Sequence, residues 1–484
     1  MKAILFTTLL IITATGFAQT QMGDNINGEA AVDRSGYSVS LSSDGSVVAI
    51  GAPNNDGNGS NAGHVRVYQY SNNEWTQMGY DIDGEAKDDW SGHSVALSSD
   101  GLIVAIGARY NSGGAGHARI YKYSNSEWTQ MGSDIDGEAS GDWSGYSVSL
   151  SDDGNIVAVG AINNRDSEYQ SGHVRVYQFS SNAWSQLGSD IDGEDISDQS
   201  GFSVSLSFDG STVAIGAPSN DEHSYGAGHV RVYGYSNSQW TQMGSDIDGK
   251  GGDQSGRSVS LSSDGTIVAI GAVLSSRNGN NSGHVGVYQY SNNEWTQIGS
   301  DINGNAHELS GRSVSLSSDG TVVAIGAISD DGEKNATEHV RLYQYSDTTW
   351  TQIGADLVSD SAEDLTGHSV SLSSDGKVLA LGAILSDVNG ASAGQVRVYS
   401  IDNILLSVED VKNRGVLPRN TFANPTSGII NCTWKSSEEI IVINSLGQSV
   451  PFDKRENGID ISNAHDGIYF VLLSGHWHKV IKEH

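Results

Sequence analysis

One phrase, Ser-Gly-x-Ser-Val-x-Leu-Ser-x-Asp-Gly, begins at Ser35, Ser91, Ser144, Ser200, Ser255 and Ser310, and a seventh copy opens at Thr366. The period is about 55 residues, and a unit of that size cannot bury its own apolar face. Seven copies must therefore stack on one another, each making the same contacts with its neighbours. After each phrase comes an apolar run ending in Gly-Ala, as in Val47-Val48-Ala49-Ile50-Gly51-Ala52. A variable loop follows, then Gly-His-Val-Arg-Val-Tyr, as at Gly63 to Tyr68, and the unit closes on Trp-Thr-Gln-Met-Gly-x-Asp-Ile, as at Trp75 to Ile82.

Alternation in Val39-Ser40-Leu41 and in His64 to Tyr68 has the two-residue period of strands, not the helical one. Ser-Asp-Gly and Ser-Asn-Asn-Glu supply tight turns between them. Each unit thus reads as four short strands, and four-stranded units around an axis make a β-propeller. The closing Trp strand occurs at Trp75, Trp128, Trp184, Trp240, Trp295 and Trp350, but unit seven lacks one. The missing strand stands at the other end of the chain, as Thr20-Gln21-Met22-Gly23-Asp24-Asn25-Ile26. This N-terminal strand is expected to complete the last blade and remove two exposed sheet edges.

The phrase complete at Ser35 to Tyr68 resembles the FG-GAP repeat, which builds the seven-bladed propeller of integrin α chains and many bacterial surface proteins. Past Asn403 the repeat stops, and a second resemblance begins. Asn424-Pro425-Thr426-Ser427-Gly428, Ile441 to Gly447, Gly467-Ile468-Tyr469-Phe470-Val471 and Lys479-Val480-Ile481-Lys482 resemble, in order and spacing, the C-terminal sorting domain of type IX secretion cargo. Asn424, Pro425, Gly428, Gly447, Gly467, Tyr469, Lys479 and Lys482 carry that likeness. It implies a small β-sandwich that engages the type IX machinery and directs the chain across the outer membrane. The expected organisation is all-β: a signal peptide over 1–18, a seven-bladed β-propeller over 19–402, a linker over 403–416 and the sorting domain over 417–484.

The leader reading rests on Lys2, the apolar run Ala3 to Ala14, and small residues before a cut after Ala18. That run is too short to span a bilayer, and no later segment is apolar enough. The only cysteine, Cys432, allows no internal disulfide, so stability must come from the core. The net charge is −32, yet the tail from Ile404 holds 9 acidic and 8 basic residues, so the repeats carry nearly all of it. Such a field excludes nucleic acid as a partner.

His64, His117, His173, His229, His284 and His339 occupy one repeated position, and an Arg recurs two residues later except at Gly286. A catalytic site is a single asymmetric constellation, so this ladder reads as packing between blades. No catalytic motif is found, and the chain is expected not to be an enzyme. A calcium loop of the family kind would need Asp-x-Asp-x-Asp-Gly, whereas Ser42 to Gly45 offers one carboxylate. No metal site or other cofactor is assigned on that basis. Calcium has one further place open to it, the acidic inter-blade runs Asp81 to Asp89, Asp134 to Asp142 and Asp190 to Asp198, where a solvated loop is the commoner meaning.

Topology places the variable loops and the inter-blade links on one face, where function that does not repeat would lie. Tyr110, Arg165, Tyr169, His223, Tyr225 and Arg277 are the candidate ligand-binding residues on that face. The expectation is a monomeric secreted or surface-attached protein that binds an extracellular glycan or protein in adhesion. A propeller enzyme acting on polysaccharide, hydrolase or lyase, is the alternative, and a purely structural surface protein the third reading. His, Tyr and acidic residues converging on the central channel would favour the enzyme.

Overall fold

The computed structural model describes residues 15–328, 338–359, 361 and 364–405, and in the C-terminal part 429–431, 441–444, 452–455, 458–461, 467–473 and 476–482. Blade one runs Ser38–Leu41, Val47–Ala52, His64–Ser71 and Glu74–Gln77, hydrogen-bonded antiparallel in chain order. Six further sheets repeat this plan, giving a seven-bladed propeller. Val47–Ala52 is buried at every position, because blades cover it on both faces; this is why it reads as an unbroken apolar run. Asn72 and Asn73 both take positive φ, which the two-residue hairpin turn of the outer strands requires.

Blade joins blade through groups that the repeat keeps constant. Ser38 Oγ donates to the Gly92 carbonyl, and the series continues blade by blade until Ser369 Oγ donates to Gly36. A methyl group on Gly51 would run into the carbonyl of Gly92, so this glycine of the Gly-Ala pair sets the close approach of neighbouring blades. At the Ser-Asp-Gly end of the axis, backbone N–H groups donate round a closed circle: Ser43 to Ser99, Ser99 to Asp152, Asp152 to Phe208, Phe208 to Ser263, Ser263 to Ser318, Ser318 to Ser374, and Ser374 back to Ser43, all at 2.8–2.9 Å.

The N-terminal segment closes the last blade, but its outer strand is Thr15–Gln21 and not Thr20 to Ile26, so residues 15–18, assigned above to the leader, lie in that strand. The blade's sheet runs Thr15–Gln21, Gln395–Leu405, Val378–Ala383 and Thr366–Leu372. Met22 N–H donates to the Val398 carbonyl, and Ile26–Asn27 pairs with Gln395 and Val396. Ile26 is 6% exposed and packs with Val39, Leu41, Val48 and Ile50 of blade one and Ala380, Val396 and Val398 of blade seven.

One feature of the blade was not anticipated: the link residues form a fifth, two-residue strand. Glu74–Gln77 covers only Tyr68 to Ser71 of the third strand, so His64 and Val65 pair instead with Asp83 and Ile82. The backbone groups at that end would otherwise lack partners. The propeller forms one compact unit, Thr20–Gln352 with Asp356–Ser400.

The described C-terminal residues form two three-stranded antiparallel sheets. One orders Ile429–Asn431, Gly458–Asp460 and Asp453–Arg455, the other Ile441–Asn444, Gly467–Leu473 and His476–Lys482. Val442, Ile459 and Ile461 are buried there. Gly467 pairs with Lys482, Tyr469 with Val480 and Lys479 with Phe470, whereas Asn424, Pro425, Gly428 and Gly447 lie outside the described residues. So do residues 1–14 of the leader and 406–416 of the linker. No helix among the described residues is long and apolar enough to cross a membrane.

Candidate functional site

The repeated His, Arg and Trp residues sit at the joints. Trp75 Nε1–H donates to the Met22 carbonyl at 2.7 Å, and the later tryptophans reach the preceding unit in the same way. Arg66 donates to Asn27 O, Arg119 to Asp83 O, Arg175 to Asp136 O and Arg231 to Asp192 O. Each acidic link is divided between two blades. Asp81 turns back to His64 of its own blade, Glu85 turns forward to His117 of the next, and buried Asp89 accepts from Ala86 N–H and Asn111. The run read from sequence as one carboxylate-dense loop is therefore not a single cage.

What does not repeat lies at the channel. The variable position of Ser-Gly-x-Ser-Val stands at the start of each innermost strand, and these seven side chains, Tyr37, His93, Tyr146, Phe202, Arg257, Arg312 and His368, line one cavity of about 230 Å³ on the axis. They form a chain of contacts. Tyr37 lies against His93 and His368 at ring distances of 5.0 and 4.7 Å, His93 against Tyr146 at 4.8 Å, and Tyr146 against Phe202 at 4.9 Å. Arg257 covers Phe202 at 4.5 Å, and Arg312 donates to His368 Nε2 at 2.9 Å.

Hydrogen bonds fix both imidazoles. His93 Nδ1 is 3.0 Å from the Tyr146 carbonyl, which makes Nδ1 the donor and leaves Nε2 to accept from the Tyr37 hydroxyl at 3.4 Å. His368 Nδ1 likewise donates to Tyr37 O at 3.2 Å. Burial holds both rings well below the ordinary histidine pKa, and nearby arginines (Arg109 for His93, Arg312 for His368) push the same way. Burial beside Arg312 lowers Arg257 to about 10. The seven positions include no carboxylate, so in a strongly acidic chain this mouth is cationic and aromatic.

An aromatic wall adjoins it. The Arg109 guanidinium lies 4.9 Å from the ring centre of Trp90, 4.7 Å from Tyr110, 5.2 Å from Trp143 and 5.3 Å from Tyr146. Tyr110 meets both tryptophans edge-on. Trp90 and Trp143 have φ of 59° and 60°, and the equivalent residues Arg34, Gln199, Gln254, Leu309 and Leu365 also have positive φ, so this turn belongs to the repeat and not to the wall.

Of the six residues picked from the variable loops, Tyr110 belongs to this wall. Arg165 stacks on Tyr169 at 4.7 Å, and both are exposed. His223 reaches Asp248 at 3.4 Å, and Tyr225 is 87% exposed. Arg277 has a different setting: it is paired with Asp253 at 2.8 Å and with Asp301. Blade five has Gly286 at the position of the repeated arginine, and Arg277 is the cation beside its Asp301. Among the described residues, no hydrogen bond or ring contact joins the loop residues of one blade to those of the next. The channel ring, Trp90, Trp143 and Arg109 were missed from sequence. The available signal was variation itself: inside an otherwise constant phrase, position x reads Tyr, His, Tyr, Phe, Arg, Arg, His.

Comparison with known proteins agrees with both modules. The FG-GAP repeat matches residues 27–68 and 244–288, and the secretion system C-terminal sorting domain matches 420–483. Among solved structures, Kuenenia stuttgartiensis hydrazine synthase aligns over 84% of this chain and 100% of that one, with TM-score 0.50 and 13% identity. A putative 6-phosphogluconolactonase from Bacteroides uniformis aligns over 70% and 90%, with TM-score 0.48 and 12% identity. At 13% identity the likeness to the first speaks for the fold alone. No curated protein matches the chain. The chain is thus an FG-GAP-type seven-bladed β-propeller protein with a type IX sorting domain. That domain marks it for export to the cell surface or the extracellular space.

Proposed function

We propose that the exported propeller is a binding protein for an acidic extracellular glycan, used in adhesion, and that it performs no catalysis. The observation that carries this reading is the channel mouth: Arg257 and Arg312 without a carboxylate beside them, set among Tyr37, Tyr146 and Phe202. Guanidinium groups pair with carboxylate or sulfate in two-point fashion. The Trp90–Tyr110–Trp143 wall offers apolar surface for sugar faces at the same end of the axis. Binding of purified protein to a glycan array, with calcium and with chelator, tests the reading. Acidic glycans should bind in a salt-sensitive way and be lost in Arg257→Ala/Arg312→Ala. A neutral-glycan hit that survives this double substitution, or no hit at all, overturns it.

One observation favours a second reading, a lyase acting on uronate polymers. His93 Nε2 carries its lone pair toward the Tyr37 hydroxyl, within the same ring as both arginines. A base beside cations that neutralise a uronate carboxylate would suit β-elimination. New ultraviolet absorbance on incubation with such polymers, abolished by His93→Ala, would establish that reading over simple binding.

A further inference from the structure

We propose that blades three and four each hold one first-row divalent transition-metal ion of the zinc or manganese kind. The ligands are Glu138, Asp166, His173 and Asp190 in blade three, and Glu194, Glu222, His229 and Asp246 in blade four. In each set, one ligand atom per residue lies within 4.8 Å of every other.

The first observation is the histidine. His173 and His229 are 1% exposed, and Nδ1 of each is buried without a hydrogen-bond partner. It faces Asp190 Oδ2 at 3.5 Å in blade three and Asp246 Oδ2 at 3.4 Å in blade four. The glutamate oxygens stand at 3.9 and 4.0 Å. An N–H···O hydrogen bond sits at about 2.7–3.2 Å. These separations are longer, and fit the edge of a ligand polyhedron: metal–ligand bonds of about 2.1 Å in a tetrahedron place the ligands about 3.4 Å apart.

The second observation is how the carboxylates are held. Glu138 Oε1 is tied to Arg175 at 3.4 Å, and Asp190 Oδ1 accepts from Gln186 at 2.5 Å. The other oxygen of each is the one turned to His173. Glu194 Oε1 and Asp246 Oδ1 are held likewise by Arg231 and Gln242. Outer groups that orient the carboxylates leave one oxygen apiece for a common centre.

The remaining blades supply internal controls. In blade five, Lys250 replaces the glutamate, and the Arg277 guanidinium holds Asp301 and Asp253. In blade six, Asn305 replaces it, Glu308 comes within 3.8 Å of His339 instead, and the repeated Arg341 turns to hold both Glu308 and Asp356 at 3.0 Å. In blade seven, histidine and aspartate become Gln395 and Asn25, joined by a neutral hydrogen bond of 2.9 Å. Where the repeat departs from the motif, a protein cation or a neutral pair thus stands in its place. Blades one and two keep the three-ligand form, Glu29–His64–Asp81 and Glu85–His117–Asp134. They lack the variable-loop carboxylate and should bind more weakly. An imidazole ligand among carboxylates selects a transition metal over calcium, which takes oxygen ligands.

The test uses the purified full-length protein, stripped with chelator and dialysed. Titration with Zn²⁺ by calorimetry, and with Co²⁺ by visible absorption, should show about two tight equivalents, with ligand-field bands from the bound cobalt. Asp166→Asn and Glu222→Gln should each remove one equivalent, leaving circular dichroism unchanged because both side chains are exposed. His173→Gln, the residue blade seven itself uses, should remove the blade-three cobalt band. The proposal is overturned by the absence of saturable uptake, by uptake that survives the double loop variant, or by calcium displacing cobalt at equal concentration.

Discussion

Replacing Ile26 by alanine tests how the ring is closed. Ile26 belongs to the N-terminal segment yet is 6% exposed, packed between the inner strands of blade one and blade seven. Deleting a buried isoleucine side chain costs about 2–4 kcal/mol, part transfer and part cavity. For a unit of about 380 residues the unfolding entropy is about 0.8 kcal/mol/K, so the melting temperature should fall by about 3–5 °C. Ile191 holds the corresponding place inside the chain, is 5% exposed, and serves as the matched control. Both variants should lose similar stability by differential scanning calorimetry. Only Ile26→Ala should expose residues 20–28 to protease, because only there can a chain end peel away. An Ile26→Ala protein that melts like wild type, or like a variant at Val32 (53% exposed), would refute closure by the N-terminal strand.

Three other outcomes are expected. His93 and His368 have folded-state pKa values below the unfolded value near 6.5, so the unfolded chain binds more protons as pH falls through 6.5. Their contribution is complete above about pH 6.5 and is lost on acidification; the double variant His93→Phe/His368→Phe should flatten melting temperature between pH 6.5 and 4.5. Arg277→Ala leaves Asp253 and Asp301 facing each other; with the pair partly exposed, a loss of about 1–2 kcal/mol in urea denaturation is expected. Removing Leu417 to His484 should trap the protein in the periplasm, and fractionation showing normal surface delivery would contradict the sorting role.

Seven copies of one phrase, tight turns in the right places and a half-unit at each end determined the propeller, its blade count and its closure, because period and alternation are properties of the chain itself. That the repeated Arg and Trp residues join blade to blade followed from repetition alone. The sorting tail was equally legible from the order of its blocks. The fifth short strand was not, since nothing in Asp-Ile-Asp shows that the fourth strand leaves half of its neighbour uncovered. The channel ring could not be assembled from sequence, because Tyr37 and His368 stand 331 positions apart and meet only when the ring closes. Nor could the divided link: Asp81 and Glu85 are near neighbours in sequence, but pleat and turn send them to the histidines of different blades. Local pattern settles which strands form; which charges face one another is decided by how the blades are set around their axis.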